Sequence, residues 1–569
     1  MGWTDWLHFI LFILIILFLT KPFGLYIERV LDPKKRTLFD PILKPVEHFV
    51  YRLCNISPLK EQTWKEYLVS IGGFSFISLV FTSLLLACQY YLPLNPENFT
   101  APSWHLNLNV AFSFMTNTDW QSYGGESTMS YFSQMTALTV QNFVSAAVGL
   151  AVAAALVRGI ARKTGKTIGN FWADLVRINL YLLLLLSILA ATLFISEGVP
   201  QNFKSYVQAK TIEGRPQTLV QGPIASQQAI KLLGTNGGGY TNANSAHPYE
   251  NPTPLANLLQ LILIFLIPSS QIYYFGRAIK NTKHAWCIIT ALGLVFIAGV
   301  LITAHAEITG NPSFASLGLT GGNWEGKETR FGIFASSLYA CVTTVISCGA
   351  VNCVHDSLTP IGGLIPLLNM ELSEVIFGGV GAGLYSILIF VFLTIFISGL
   401  IIGRTPEYLG KKIEAFDVKM TVLATLPFVL LVHGFTAWSC FSTWGLAGLG
   451  NSGPHGFSEM LYAFSSGTAN NGSAFAGLSA NTLPYNLTLA AAMFFGRFLV
   501  IAPVMALAGS LITKKVHPQN SASFPISSFV FISLLIGVIL LIGALTFLPA
   551  LTMGPIIEQF FMLKGKLFS

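Results

Sequence analysis

The segment GTNGGG at residues 234–239 has three related segments elsewhere in the chain: TNTDWQ at 116–121, SCGAVN at 347–352 and TANNG at 468–472. Each consists mainly of small residues that include Gly or Asn, and each precedes a long apolar stretch. Gly and Asn tolerate unusual backbone dihedrals, which lets carbonyl oxygens turn inward. A ring of such carbonyls can replace the water shell of a cation. The four segments therefore predict a cation filter built from one chain.

The spacing of these segments indicates an internal repeat. They begin at residues 116, 234, 347 and 468, so the intervals are 118, 113 and 121 residues. A helix-like stretch precedes each segment, and the negative ends of four such helices would favour a cation at their centre. The predicted short helices cover residues 109–115, 225–233, 331–346 and 459–466.

Composition places this chain in a membrane. Of its 569 residues 53% are hydrophobic and 10% are charged, whereas soluble domains carry about 25% charged residues. A helix needs about 20 apolar residues to cross a bilayer, and ten stretches qualify. The first is expected to be a retained helix, because no positive charge precedes it and no small-residue cleavage site follows it. The predicted spans are 6–27, 67–91, 136–157, 175–196, 254–275, 285–304, 372–402, 420–438, 485–512 and 529–548.

The basic residues lie on alternate connections between these spans. Residues 21–65 hold nine Lys and Arg and residues 158–177 hold five, whereas residues 92–135 and 439–484 hold none. The positive-inside rule places the basic connections in the cytoplasm and the N-terminus outside. This distribution explains the net charge of +7 without a nucleic acid partner.

Neither disulfides nor ATP chemistry is predicted. The seven cysteines form no CxxC pair and no Cys/His metal spacing. Gly165-Lys166-Thr167 lacks the Gly that a phosphate loop needs five residues earlier, since position 160 is Ile160. The aspartyl-phosphate signature DKTGT is also absent from the sequence. The chain is therefore not expected to hydrolyse ATP by either route.

The candidate ion ligands come from the four segments, mostly through backbone carbonyls. Three glycines at equivalent places, in segments 2, 3 and 4, are the strongest candidates. The full predicted set is Thr116, Asn117, Thr118, Asp119, Thr235, Asn236, Gly237, Ser347, Cys348, Gly349, Ala469, Asn470, Asn471 and Gly472.

A second group of residues is predicted to form a gate below the filter. Four glycines within residues 378–383 either allow close helix packing or break the helix, and their density favours a break. An arginine near the middle of a span needs a polar cavity or a partner. Glu374 is expected either to pair with a cation or with Arg404, or to end a solvated helix. The predicted gate comprises Gly378, Gly379, Gly381, Gly383, Glu374, Arg404 and Arg497.

Several longer motifs resemble the potassium-binding subunit family of the Kdp potassium-transporting ATPase, a bacterial uptake pump. They are GTNGGGYTNANSAHP at 234–248, GKETRFG at 326–332, SCGAVNCVHD at 347–356, GRTPEYLGKKI at 403–413 and NNGSAFAGL at 470–478. The resemblance covers essentially the whole chain. One departure is Asp119, where relatives carry Asn; we expect its charge to attract cations, an effect that salt should screen.

The resemblance implies an all-α polytopic membrane protein of the bacterial inner membrane. About ten helices would form four span–pore loop–span repeats around a pseudo-fourfold pore, plus one extra helix at each end. The implied units are residues 1–66 (first helix and basic connection), repeats at 67–157, 158–276, 277–403 and 404–513, and a last helix within 514–569.

The resemblance also implies the function and the partners. The chain would bind and translocate potassium for a P-type ATPase catalytic subunit, which would bind and use the ATP. A single-span subunit with an outer domain, a very small hydrophobic peptide and membrane lipid are the other implied partners. The ion could leave straight below the filter or sideways into the partner. A free-standing channel or ion-coupled transporter is the alternative function, and a membrane enzyme is a remote third.

Overall fold

Helices dominate the computed structural model, which describes residues 2–319, 321–372, 375–403, 405–518 and 524–566. Within these ranges ten helices are long and apolar enough to cross a membrane, and we number them spans 1 to 10. They are Trp3–Leu31, Trp64–Ala87, Ser133–Ala161, Phe171–Ser196, Pro254–Ala278, Thr282–Phe314, Ala382–Ile402, Ala415–Phe441, Leu483–Thr513 and Phe529–Leu563.

Each predicted span overlaps one observed span, but the seventh was predicted wrongly at its start. The sequence predicts one helix over 372–402, whereas span 7 begins at Ala382. A separate helix, Pro360–Glu371, precedes it. Residues Phe377, Gly378 and Gly381 between the two helices have positive φ angles of 64°, 63° and 77°, which a right-handed helix excludes.

Four shorter helices precede the four segments, as predicted, and we number them pore helices 1 to 4. They are Trp104–Met115, Ile224–Leu233, Gly332–Val345 and Gly453–Thr468. With 10 to 16 residues, each is too short to cross a hydrocarbon layer of about 30 Å at 1.5 Å per residue. Most of their residues are buried, so these helices lie inside the bundle.

Burial separates the spans into an inner and an outer set. In spans 3, 5, 7 and 9, between 61% and 83% of the most apolar stretch of 18 residues is buried within the protein. The other six spans are at most 44% buried and present their apolar side chains outward. Each inner span follows a pore helix and its segment along the chain. The inner spans therefore surround the four segments.

The connections after spans 1, 3, 5, 7 and 9 meet at one end of the bundle, which we call the basic end. Arg162 after span 3 pairs with Glu61 before span 2 at 2.8 Å. A helix in the first of these connections, Asp40–Leu53, is named the surface helix. A short antiparallel pairing of Glu407–Tyr408 with Lys411–Lys412 is named the basic-end hairpin. A second hairpin, Val207–Lys210 with Pro216–Leu219, lies in the connection after span 4.

Candidate functional site

The four pore helices end with the same backbone turn. The second residue after each helix has a positive φ: Asn117 at 66°, Thr235 at 53°, Ser347 at 54° and Asn470 at 54°. The next residue donates its backbone N–H to the carbonyl five residues earlier in all four, from Thr118 to Ser113, Asn236 to Lys231, Cys348 to Thr343 and Asn471 to Ser466. This is the helix-ending bond of a Schellman motif. The predicted segments are thus equivalent in the structure.

Glycine usually occupies this left-handed position, but none of the four residues is glycine. Asn tolerates the conformation, whereas Thr235 is β-branched and disfavours it. Residues persist in such backbone conformations only where their surroundings fix them, and they cluster at functional sites. Strain at four equivalent positions marks the segments as a candidate site.

The four segments contact one another in a closed ring. A Cβ on Gly237 would overlap the backbone of Gly349, and one on Gly349 would lie 2.6 Å from the carbonyl of Asn471. A Cβ on Gly472 would overlap the carbonyl of Thr118. Segment 1 closes the ring, since a Cβ on Gly238 would lie 3.3 Å from the Asp119 carbonyl. At Gly237, Gly349 and Gly472 the backbones approach so closely that only glycine fits.

Side chains of the left-handed residues brace the ring between neighbouring segments. The Asn117 amide donates to the Thr235 carbonyl at 3.2 Å, and the Ser347 hydroxyl donates to the Asn470 carbonyl at 3.1 Å. The Asn470 amide donates to the Thr118 hydroxyl at 2.9 Å. These bonds join segment 1 to 2, 3 to 4 and 4 to 1. These side chains therefore hold neighbouring segments of the ring together.

Asp119 occupies the position that Gly237, Gly349 and Gly472 occupy in the other segments. It is buried, with 1% of its surface accessible. The Asn142 amide donates to its Oδ2 at 3.0 Å, whereas Oδ1 has no hydrogen-bond partner within the described residues. Burial raises the pKa of Asp119, and the charge of Lys231 lowers it only in part, so a cation in the ring is needed to favour the ionised carboxylate. The ring therefore contains an acceptor suited to a cation.

A buried ion pair supports segment 2 from behind, and the sequence analysis missed it. Lys231 on pore helix 2 pairs with Glu250, and both side chains are almost completely enclosed. The Lys231 ammonium also donates to the Gly238 carbonyl at 2.8 Å. Glu250 accepts from the backbone and the hydroxyl of Thr241. The sequence signal that could have revealed this pair is Lys231, a charged residue in a segment expected at membrane depth. Such residues are rare there unless they are paired.

Segment 3 has a comparable pair between span 6 and the loop that precedes pore helix 3. Lys327 and Glu307 lie 2.6 Å apart, and both side chains are fully buried. Glu307 accepts from the backbone N–H and hydroxyl of Thr359, which begins the helix Pro360–Glu371. This pair fixes the loop that follows the segment against span 6.

The glycine stretch predicted as a gate lies directly below the ring. Residues 375–381 are not helical, which confirms the predicted break. The backbone N–H of Val380 donates to the Thr235 hydroxyl at 2.9 Å, and that of Gly381 donates to Gln271 at 2.8 Å. A Cβ on Gly381 would overlap Gly149 of span 3. The break therefore joins segment 2 to two inner spans.

The other predicted gate residues have different placements. Gly378 and Gly379 belong to the break, whereas Gly383 lies in the first turn of span 7. Glu374 and Arg404 lie outside the described residues, so their predicted pairing stays a prediction.

Arg497 lies at the same depth as the break. It is buried in span 9, and its Nη2 lies 3.0 Å from where a Cβ on Gly149 would be. This Nη2 has no hydrogen-bond partner within the described residues. The preceding Gly496 packs so closely under Thr468 that a Cβ would overlap its carbonyl. A positive group thus lies just below the ring.

A buried acid near the break was also missed by the sequence analysis. Glu371 ends the helix before the break, and neither carboxylate oxygen has a hydrogen-bond partner within the described residues. It lines a small cavity together with Thr425 of span 8 and Gly543 of span 10. The sequence pattern instead favoured Glu374, three residues further on, because that residue closely precedes the glycine stretch.

The sequence comparisons match the whole length of the chain. The family model described as "Potassium-transporting ATPase A subunit" matches residues 10–560. A protein from Methylorubrum extorquens named potassium-transporting ATPase potassium-binding subunit is 53% identical over 566 residues, covering 100% of this chain and 99% of its own. A protein of the same name from Bradyrhizobium diazoefficiens is 51% identical over 573 residues, covering 100% of both.

A solved structure shares the fold at low sequence identity. The crystal structure of the potassium transporter TrkH from Vibrio parahaemolyticus aligns with 88% of this chain and 98% of its own chain. Its TM-score is 0.51 and its sequence identity is 13%. This likeness concerns the arrangement of the helices.

Proposed function

We propose, from the premise that the chain belongs to the family of the potassium-transporting ATPase A subunit, that its four-segment ring is a potassium filter. The chain is the potassium-binding, transporting subunit of such an ATPase and not the catalytic one. The ring would bind potassium from outside the cell and deliver it toward the ATPase subunit that hydrolyses ATP.

The fourfold equivalence of the helix ends is the observation that supports the filter. Four pore helices end in the same turn, and their segments touch in a closed ring. The negative ends of these helices face the ring, which favours a cation there. Backbone carbonyls in such a ring can replace the hydration shell of potassium, and the bracing side chains hold the ring at a fixed size.

The filter ligands proposed are the residues predicted from the sequence, from Thr116–Asp119, 235–237, 347–349 and 469–472. Gly237, Gly349 and Gly472 set the close approach of the backbones. The residues around them turn the carbonyls. Below them, the break and Arg497 obstruct a free path for cations, which suits a pump subunit better than an open channel.

Uptake measurements on Gly237→Ala test this proposal. The added Cβ would overlap Gly349 and would sit on a residue with φ of 73°, so the ring should open between segments 2 and 3. We expect the apparent KM for potassium to rise about tenfold or more, an effect of about 1.4 kcal/mol, with weaker discrimination against sodium.

Gly198→Ala is the matched control, because Gly198 also has a positive φ, of 102°, but has nothing within 4 Å of its Cβ position. It should leave KM and ion preference unchanged. Wild-type affinity and selectivity in Gly237→Ala would exclude Gly237 from the filter.

The partners and the orientation belong to the same proposal. They are a P-type ATPase subunit, a single-span subunit with an outer domain and a very small hydrophobic peptide. The chain would lie in the bacterial inner membrane with its N-terminus outside, because the basic end holds most of the Lys and Arg. Co-purification of the complex, and labelling of a cysteine introduced near Trp3 from either side, test these two points.

A further inference from the structure

The surface helix, Asp40–Leu53, presents an apolar stripe to its surroundings. Ile42, Val46, Phe49 and Leu53 follow one another at intervals of four, three and four residues, so they lie on one face. Their exposed fractions are 71%, 42%, 63% and 73%. A continuous exposed apolar stripe of this kind marks an interaction surface.

A second face of the surface helix holds it against the protein. Glu47 is buried and accepts hydrogen bonds from Tyr51 at 2.8 Å and from Tyr181 of span 4 at 2.6 Å. It also forms an ion pair with Arg177 of span 4 at 3.1 Å. Leu43 is buried on the same face. These contacts fix the rotation of the helix, so the apolar stripe points away from the protein.

The third face of the surface helix is basic. Lys44, His48 and Arg52 follow one another at intervals of four residues, and all are exposed. Neither Lys44 nor Arg52 forms an ion pair with another described residue. A shallow groove next to this face is lined by Arg36, Lys44 and His48. Its one acid, Asp40, accepts hydrogen bonds from the backbone and hydroxyl of Thr37. Arg36 and Lys44 outnumber this acid, so the groove carries a net positive charge.

The connections of the surface helix keep it at the membrane surface. Only residues 32–39 separate it from span 1, a reach of at most about 28 Å for an extended chain. Its partner Arg177 also donates to the carbonyl of Val30 at the end of span 1. The surface helix therefore lies at the level where spans 1 and 4 leave the bilayer.

We propose that the surface helix lies in the headgroup region at the basic end and binds anionic phospholipids. The stripe of Ile42, Val46, Phe49 and Leu53 enters the acyl boundary, and Arg36, Lys44 and Arg52 contact the lipid phosphates. Helices with one apolar face and a Lys/Arg-bearing polar face bind membranes in this way, at a depth of about 5–10 Å. Clustered cations beside a membrane span recognise anionic headgroups.

Depth-dependent fluorescence quenching tests the proposal on the full chain. Cys54 and Cys88, the two exposed cysteines, are replaced by Ser, and Phe49→Cys receives an environment-sensitive dye. Nanodiscs of phosphatidylcholine, with or without about 30% phosphatidylglycerol, carry nitroxide on the acyl chains. We expect nitroxide to quench the dye, roughly twofold more strongly with phosphatidylglycerol, and aqueous iodide to quench it weakly.

Two further variants give the comparison its controls. A dye on His48→Cys, which belongs to the basic face, should be quenched by iodide and little by nitroxide. The triple variant R36Q/K44Q/R52Q should lose the response to phosphatidylglycerol while keeping the dye at Phe49→Cys in the bilayer. Inorganic phosphate should not reverse the phosphatidylglycerol effect, because the site binds a headgroup held beside an inserted stripe.

Other results would overturn the lipid site. Strong iodide quenching at Phe49→Cys in both bilayers would place the stripe in water. An unchanged phosphatidylglycerol response in the triple variant would remove the cations from the site. Loss of nitroxide quenching in the assembled ATPase complex would show that another subunit covers the stripe. None of these readouts depends on transport, so they are independent of the filter proposal.

Discussion

At the scale of the residue, Asp119 is the position where this ring departs from its own symmetry. Asp119→Asn removes the charge but keeps a group that can bond to Asn142. We expect the apparent KM for potassium to rise about fivefold, equivalent to about 1 kcal/mol, because the attraction of the carboxylate for the ion is partly offset by its own desolvation. The ratio of potassium to sodium affinity should change little, since the charge attracts both ions.

The burial of Asp119 changes the expected dependence on salt. The sequence predicted a screened effect, but only 1% of the side chain is accessible, so bulk ions reach it poorly. The rise in KM should therefore be nearly the same at two ionic strengths. The exposed acid Glu325, changed to Gln, is the control and should have no effect on KM. A loss of selectivity in Asp119→Asn would instead make Asp119 part of the ring's scaffold.

At the scale of the element, the basic-end hairpin joins two inner spans through one side chain. The Lys411 ammonium donates to the carbonyls of Gly159, Arg162 and Leu511 at 2.8 Å each. Lys411→Met would leave these carbonyls unsatisfied and should lower the unfolding free energy by about 2 kcal/mol. Thermal unfolding in detergent measures this loss. Lys412→Met, at the exposed neighbour, should have the Tm of the wild type.

A histidine joins pore helix 4 to the last helix and makes stability depend on pH. His455 contacts Glu558 at 2.8 Å and Asp356 at 3.2 Å. Burial by itself lowers the pKa of His455, but the hydrogen bonds to the two carboxylates outweigh it and raise the pKa to about 10 from an ordinary 6.5. The stabilisation is therefore complete below pH 6.5 and is lost as the pH rises to about 10.

The difference in Tm between the wild type and His455→Gln should accordingly be largest at pH 6 and small near pH 10. Measuring Tm across that range checks it. His517→Gln, at an exposed histidine, should track the wild type at every pH. A difference that stays constant with pH would mean that His455 remains uncharged in the folded protein.

At the scale of the whole molecule, the chain is expected to hold potassium without conducting it freely. The break at 375–381 and Arg497 both lie under the ring. The chain reconstituted alone in liposomes should therefore show no sustained potassium flux. The flux should appear only with the ATPase partner and ATP. A large flux without ATP would favour the channel or transporter alternative.

Local sequence determined which parts of this chain cross the membrane and where the ring segments lie. Apolar runs of about 20 residues identify spans because the bilayer imposes their length and polarity directly. The small residues of the four segments and the glycines of the break could also be recognised from the local sequence alone. The family motifs added potassium, which no spacing alone could supply. The division into units, from 1–66 to 514–569, stays a prediction.

Only the tertiary structure decided which groups meet. Lys231 pairs with Glu250 across a loop, and Lys411 reaches the ends of spans 3 and 9. Glu371 has no hydrogen-bond partner among the residues that the structure describes. The start of span 7 was also misplaced, because its backbone is bent by bonds to Thr235 and Gln271, far away in sequence. Hydropathy depends on how each residue partitions into lipid and can be read locally along the sequence. These contacts depend instead on how helices far apart in sequence pack against one another in space.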